Sequence, residues 1–243
     1  MPVVWSALRL LMAAAIAAAV VAQFMKSVAT AAELGRDVTT TIVNFFSFFT
    51  ILSNTAAALV LAWAAVRWFT RRVRGAEATE PPALGVALAC VSTYMIVTGI
   101  VYNTLLRGIP LPQGSEPIPW SNEILHLVGP IFLLLDVLVG PGRRRLAWNR
   151  ILIVIAVPLA WALYTLVRGP LTVNPVTGDP WWYPYPFLDP HLQPWGYGGV
   201  ALYIAAIAIV IALVAWFVVG VGRQRATRSG SDQVPSRSAA RGR

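Results

Sequence analysis

Apolar residues in this chain come in long runs, broken by short clusters of charge, proline and glycine. Six runs stand out: Trp5–Met25, Ile42–Val66, Ala83–Leu106, Asn122–Gly140, Ile151–Val167 and Gly198–Gly222. About 20 mostly apolar residues suffice to cross a hydrocarbon core of roughly 30 Å. Inside that core every backbone polar group must find a partner within the protein, so the runs are read as helices. The pattern predicts an all-α polytopic membrane protein, with six transmembrane helices in a bundle over residues 1–222. Residues 223–243, rich in Arg, Ser and Gly, are read as a disordered tail. The first run also fits a signal peptide, with Arg9 ahead of an alanine-rich stretch and small residues at Ala29–Ala32. Its length and the lack of a clean cleavage site favour a retained helix. No repeat of solenoid or inverted-transporter type is visible.

Composition sharpens this picture. Of 243 residues, 57% are hydrophobic and only 12% charged, with mean hydropathy +0.66. Soluble domains carry roughly 25% charge, which argues against a soluble globular enzyme, and a disordered chain is excluded. Cys90 is the single cysteine, which leaves no intramolecular disulfide and no cysteine metal cage. Two histidines, His126 and His191, are too few for a histidine-rich membrane metal site. The net charge of +9 reflects arginines between the runs, and nucleic acid is not an expected partner. Arg67, Arg71, Arg72, Arg74, Arg143, Arg144, Arg145, Arg150 and the six arginines from Arg223 onward put 14 basic residues on one side. Lys26, Arg36, Arg107 and Arg168 are the four on the other. Positive charge stays inside, so both termini are expected in the cytoplasm and the protein in the cell membrane.

Ionisable groups within a span are costly and mark function or structure. The fourth run carries Asn122, Glu123 and His126, then Asp136 near its cytoplasmic end. Asn122 and Glu123 precede His126 by four and three residues, on its helical face. A carboxylate there would orient the imidazole. Pro130 lacks an N–H and so frees the carbonyl of His126. Asp136 reads as a structural charge beside Arg143–Arg145. In the second run Ser47, Thr50 and Asn54 share helical spacing among phenylalanines, which suits either helix packing or a site. By the predicted boundaries Thr50 lies roughly 12 Å and His126 roughly 6 Å below the outer surface. Tyr102, Asn103, Tyr164 and Arg168 fall at the same end of their runs.

The loop after the fifth run reads Pro180-Trp181-Trp182-Tyr183-Pro184-Tyr185-Pro186-Phe187-Leu188-Asp189-Pro190-His191. Its prolines forbid a regular helix. Trp182, Tyr183, Tyr185 and Phe187 are expected either as an interfacial aromatic belt or as a lip for lipid over the site.

At these residues the chain resembles a known family, the androgen-induced-protein type of six-helix membrane proteins and their bacterial relatives. The resemblance lies in Phe49-Thr50, in Trp120-Ser121-Asn122 with His126, and in Trp182-Tyr183-Pro184-Tyr185-Pro186-Phe187-Leu188. One departure is Pro130, four residues after His126 where the animal members have it five after. The animal members hydrolyse fatty acid esters of hydroxy fatty acids with an intramembrane threonine and histidine. The resemblance therefore implies Thr50 as nucleophile, His126 as base, lipid esters as substrate and no cofactor. Glu123 is expected to orient His126, and Asn54 or Asn122 to stabilise an oxyanion. A second class stays open: a non-catalytic transporter, channel or lipid-binding protein, in which Glu123, His126 and Arg168 relay protons or hold an anion. A metal held by Glu123 and His126 fails on ligand count, and haem would need His191 from a loop.

Overall fold

The computed structural model describes residues 2–74, 80–112, 114–142 and 145–231. They form eight α-helices and no strand. Helix α1 is Pro2–Glu33, α2 is the short Val38–Phe45, and α3 is Phe49–Val73. Helix α4 is Pro82–Val101 and runs on as a π turn over Tyr102–Leu106. Helix α5, Pro119–Glu123, passes through a second π turn, Ile124–Val128, into α6, Gly129–Val139. Helix α7 is Arg150–Arg168 and α8 is Tyr197–Ser231. Six of the continuous helical stretches are long and apolar enough to cross a membrane. By length and composition the chain is a multi-pass membrane protein.

Helix α4 is the centre of the bundle: 61% of its most apolar window is buried, against 22% for α7 and for α8. It packs on α3, α6, α7 and α8, while α1 lies along α3. The outer helices turn Leu152, Leu159, Leu163, Leu202, Ile209 and Leu213 outward, the surface a bilayer would wet. Close approach at the centre depends on Gly99, where a Cβ would stand 2.7 Å from the Cβ of Pro130. Small residues allow such contacts where lipid supplies no hydrophobic drive.

One pair of charges is buried at the end that carries the arginine-rich segments. Arg9 donates through Nε and Nη2 to the Asp136 carboxylate at 2.8 and 3.2 Å, and Trp5 Nε1 donates to it as well. Asp136 is thus structural, and among the described residues it pairs with Arg9. Residues 143–144 lie outside the described residues.

Three boundaries differ from expectation. The second span does not begin at Ile42: the chain breaks at Phe46–Phe48 and restarts as α3 at Phe49. Side chains of the site's own neighbours hold that break open. Ser47 Oγ donates to Val43 O, Trp161 Nε1 donates to Ser47 O, and Tyr164 Oη pairs with Ser47 Oγ. Ser47 therefore lies off the Thr50–Asn54 helix rather than on one stripe with it. The first helix extends to Glu33, eight residues past Met25. The last helix continues to Ser231, beyond the Gly222 boundary expected for a disordered tail. Arg223 and Arg225 reach carbonyls of Leu146, Val137 and Gly140, which keeps that stretch against the bundle. Residues 232–243 lie outside the described residues.

Candidate functional site

Threonine 50 is the second residue of α3, where backbone N–H groups have no carbonyl a turn earlier. Phe48, the N-cap residue, offers no capping side chain. The vacancy is filled from the fifth loop. Thr50 N–H donates to Tyr185 Oη at 3.2 Å, and Thr50 Oγ1 lies 3.2 Å from the same oxygen. Tyr185 is buried and clamped: stacked on Phe187 at 5.2 Å, and met edge-on by Phe48 at 5.5 Å and Trp161 at 6.0 Å. Burial pushes the Tyr185 phenol up, against the hydrogen bonds from Thr50 that lower it, so it is neutral and keeps its proton.

Histidine 126 sits in the middle of the second π turn. Its Nδ1 is 3.0 Å from the carbonyl of Asn122, and a carbonyl only accepts. The proton is thereby assigned to Nδ1, and Nε2 is left as the unprotonated nitrogen. Tyr102 stacks on the ring at 3.7 Å and 17°, and its Oη accepts from Asn122 Nδ2 at 2.7 Å. The carbonyl freed by Pro130 is satisfied: Asn103 Nδ2 donates to His126 O at 3.0 Å and to Gly99 O at 2.8 Å. Two π turns therefore pack directly against each other beside the site, a distortion that recurs at functional positions.

Asn54 joins the two halves. Its Nδ2 donates to Thr50 O at 2.9 Å and to Leu125 O at 3.2 Å. Both partners are carbonyls, so the amide orientation is fixed and both its N–H groups are used. Asn54 therefore has no donor left for an oxyanion. It positions Thr50 against the turn that bears His126, while its own Oδ1 is buried without a partner. Glu123 also departs from its expected place. It forms a two-point ion pair with Arg107 at 2.9 and 3.1 Å, with side chains 41% and 45% exposed. The imidazole is oriented by the Asn122 carbonyl, not by this carboxylate.

Thr50 and His126 line one cavity of about 350 Å³, at the bundle end opposite the arginine-rich segments. Tyr102, Asn122, Ser121 and Gln23 add polar walls. No hydrogen bond joins Thr50 to His126 among the described residues; the space between them is cavity. Thr50 is the second residue of its helix and His126 the eighth of a span that starts at Pro119. A second, apolar crevice of about 80 Å³ runs between α7 and α8, past Pro158, Trp161, Ile204, Ile207 and Ile211. Thr50, Tyr102, Leu106 and Tyr185 line both spaces.

The aromatic loop packs inward and does not lie as an exposed belt. Trp182, Tyr183, Tyr185 and Phe187 are all buried. They form a plug, pinned by Trp182 N–H on Gly169 O at 3.0 Å and Trp182 Nε1 on Pro112 O at 3.1 Å. Arg168 lies over the Trp182 ring at 5.4 Å and donates to Asn44 Oδ1 at 2.7 Å. His191 stacks on Trp181 at 3.7 Å and pairs with Asp189 at 2.9 Å, away from His126. Among the described residues no three His, Cys, Asp or Glu side chains gather as a metal site.

Sequence reasoning placed Tyr102 and Asn103 at the right end of the bundle without a role. It missed Gln23, whose amide holds the loop before α5: Nε2 donates to Ser115 Oγ at 3.3 Å and Oε1 accepts from Ile118 N–H at 2.9 Å. A glutamine within the first apolar run was the available signal. The chain matches no family model, no curated protein and no solved structure.

Proposed function

We propose that this protein is an intramembrane hydrolase of lipid esters, of the kind the androgen-induced-protein family performs on fatty acid esters of hydroxy fatty acids. The observation that carries the reading is the meeting of two unlike spaces at Thr50. A polar cavity with an imidazole and a hydroxyl lies beside an apolar crevice between two lipid-facing helices, and Thr50, Tyr102, Leu106 and Tyr185 line both. An amphipathic ester suits that pairing, with its carbonyl at Thr50 and its acyl chain directed along the crevice toward the lipid-facing surface.

The chemistry follows from the groups present. Thr50 Oγ1 attacks the ester carbonyl, and its proton passes to His126 Nε2. The tetrahedral intermediate collapses, the bond to the leaving alcohol breaks, and the alcohol takes the proton from His126. Water from the cavity then attacks the acyl-threonine with His126 as base again, which releases the acid and restores Thr50. With termini in the cytoplasm, as charge asymmetry indicates, the cavity opens on the outer side. Membrane lipids are then both solvent and source of substrate.

The test uses purified protein in nanodiscs with a panel of lipid esters, comparing wild type, Thr50→Ala and His126→Ala. Wild-type hydrolysis lost in both variants, with unfolding temperatures kept, is the expected result. Hydrolysis retained by either variant refutes the assigned pair. Absence of turnover in well-folded wild type favours the other reading, a non-catalytic lipid-binding or transport protein. Its supporting observation is that Thr50 Oγ1 is held by Tyr185 and not by His126.

A further inference from the structure

The mechanism above needs a group that stabilises the negative carbonyl oxygen, and Asn54, one of the two expected donors, is spent. Both N–H groups of Asn54 are bound to carbonyls. Asn122 already gives one to Tyr102. What lies beside the nucleophile instead is a phenol. Tyr185 Oη is 3.2 Å from Thr50 Oγ1 and accepts from the Thr50 N–H at the start of α3. It is also one of the four residues that line both the polar cavity and the apolar crevice.

We propose that the Tyr185 hydroxyl is the oxyanion donor of this site, a role that rests on the hydrolase reading. The carbonyl oxygen of an attacked ester is bonded to the carbon that Thr50 Oγ1 approaches. It therefore arrives within reach of a hydroxyl already in contact with Oγ1. In the resting protein the Tyr185 oxygen accepts from the Thr50 N–H and shares a hydrogen bond with Oγ1 in which either oxygen can donate. As Oγ1 gives up its proton to His126 and bonds to carbon, the electron pair of the carbonyl double bond moves to oxygen. The Tyr185 O–H turns to that oxygen. The phenol keeps its proton throughout and donates a hydrogen bond only, which its burial-raised affinity for the proton favours. The rings of Phe48, Trp161 and Phe187 fix the phenol before substrate arrives. Such preorganisation is what makes a single donor effective in a site shielded from water. Pro184 and Pro186 on either side restrict the backbone of Tyr185, so the loop that looked like a lip delivers a site residue.

A pair of ketone probes tests this without turnover. An alkyl trifluoromethyl ketone adds Thr50 Oγ1 to give a charged hemiketal, while the methyl ketone of the same chain length binds without adding. Transition-state analogues bind about 10²-fold or more tighter than ground-state analogues. Wild type is expected to prefer the trifluoromethyl ketone by at least that factor. Tyr185→Phe, which keeps the ring and its packing, should lose about 10²-fold of that preference. Its affinity for the methyl ketone and its KM for a p-nitrophenyl ester should stay unchanged, with the loss confined to kcat. As a second measure, 3,5-difluorotyrosine at position 185 makes the phenol more acidic with little change in its shape. The loss of trifluoromethyl ketone affinity at alkaline pH should then move to lower pH, a shift no packing role would produce. Undiminished preference in Tyr185→Phe, or an unmoved pH profile, overturns the proposal and leaves the hydrolase reading standing. Equal binding of the two ketones by wild type overturns both.

Discussion

Gly169 offers a direct measure of how tightly the aromatic plug is built. Its backbone angles, φ −50° and ψ −54°, are ordinary helical values, so alanine meets no conformational obstacle there. Space is the obstacle: an added Cβ would stand 2.1 Å from Tyr183 Cε1, 2.5 Å from Cζ and 2.7 Å from Cδ1. Carbon atoms settle at about 3.5–4.0 Å, so the ring must retreat by roughly 1.4 Å or more. It cannot do so freely. The adjacent Trp182 N–H is bonded to Gly169 O, and Tyr183 Oη is 3.2 Å from Tyr197 Oη. Overpacking of this kind costs about 1–3 kcal/mol. Replacing glycine at a compatible site returns about 0.4–1 kcal/mol through the unfolded chain. With a gap this short the cost sits in the upper half of that range, about 2–3 kcal/mol, so Gly169→Ala is expected to destabilise by about 1–2.6 kcal/mol net. In a chain this long that is roughly 2–10 °C in the unfolding midpoint, readable by tryptophan fluorescence in detergent or nanodiscs. The second arm of the cycle is Tyr183→Ala. In that background the added methyl has room, and Gly169→Ala should become neutral or slightly stabilising. If Gly169→Ala raises the midpoint equally in both backgrounds, the close packing of Tyr183 on Gly169 is refuted. Because Tyr185 lies two residues beyond Tyr183, hydrolysis should fall in Gly169→Ala as well, since displacements near 1 Å at a site can cost about 10²-fold.

Arg9→Met leaves the buried Asp136 carboxylate without its guanidinium and should cost about 3–5 kcal/mol, with much of it regained in Arg9→Met/Asp136→Leu, both read as unfolding midpoints. Asn103→Leu removes the donor that satisfies His126 O and Gly99 O, and should destabilise by about 1–2 kcal/mol while lowering activity through the π turn. A reporter fused after Arg243 should prove cytoplasmic, and one placed in the 107–118 loop should prove external. The reverse result would refute the orientation drawn from arginine placement.

How much of this was legible beforehand differs from element to element. Six spans, their order and the all-helical class follow from apolar runs, because burying an unpaired backbone in lipid is too costly for anything else. Thr50 and His126 were recognisable as candidates because a polar group in such a run demands a reason. Pro130 announced a freed carbonyl, and the structure supplies the Asn103 side chain that answers it. The break at Phe46–Phe48 was illegible, since the run carries no proline or glycine there to mark it. It is held by Trp161 and Tyr164, more than a hundred residues away in the chain.

Tertiary structure alone decided the pairings. Glu123 is three residues from His126, yet it turns to Arg107 at the surface, where two charges are cheaper to keep wet than to bury. Asp136 lies near loop arginines in the chain but finds Arg9, a residue of another helix. Tyr185 belongs by sequence to a proline-rich interfacial loop and by structure to the buried neighbourhood of Thr50. Periodicity and hydropathy are properties of a segment and its solvent, so one chain read alone determines which segments enter a membrane. Which side chains meet depends on the rotation and depth of every helix at once, and that is settled only when the whole bundle packs.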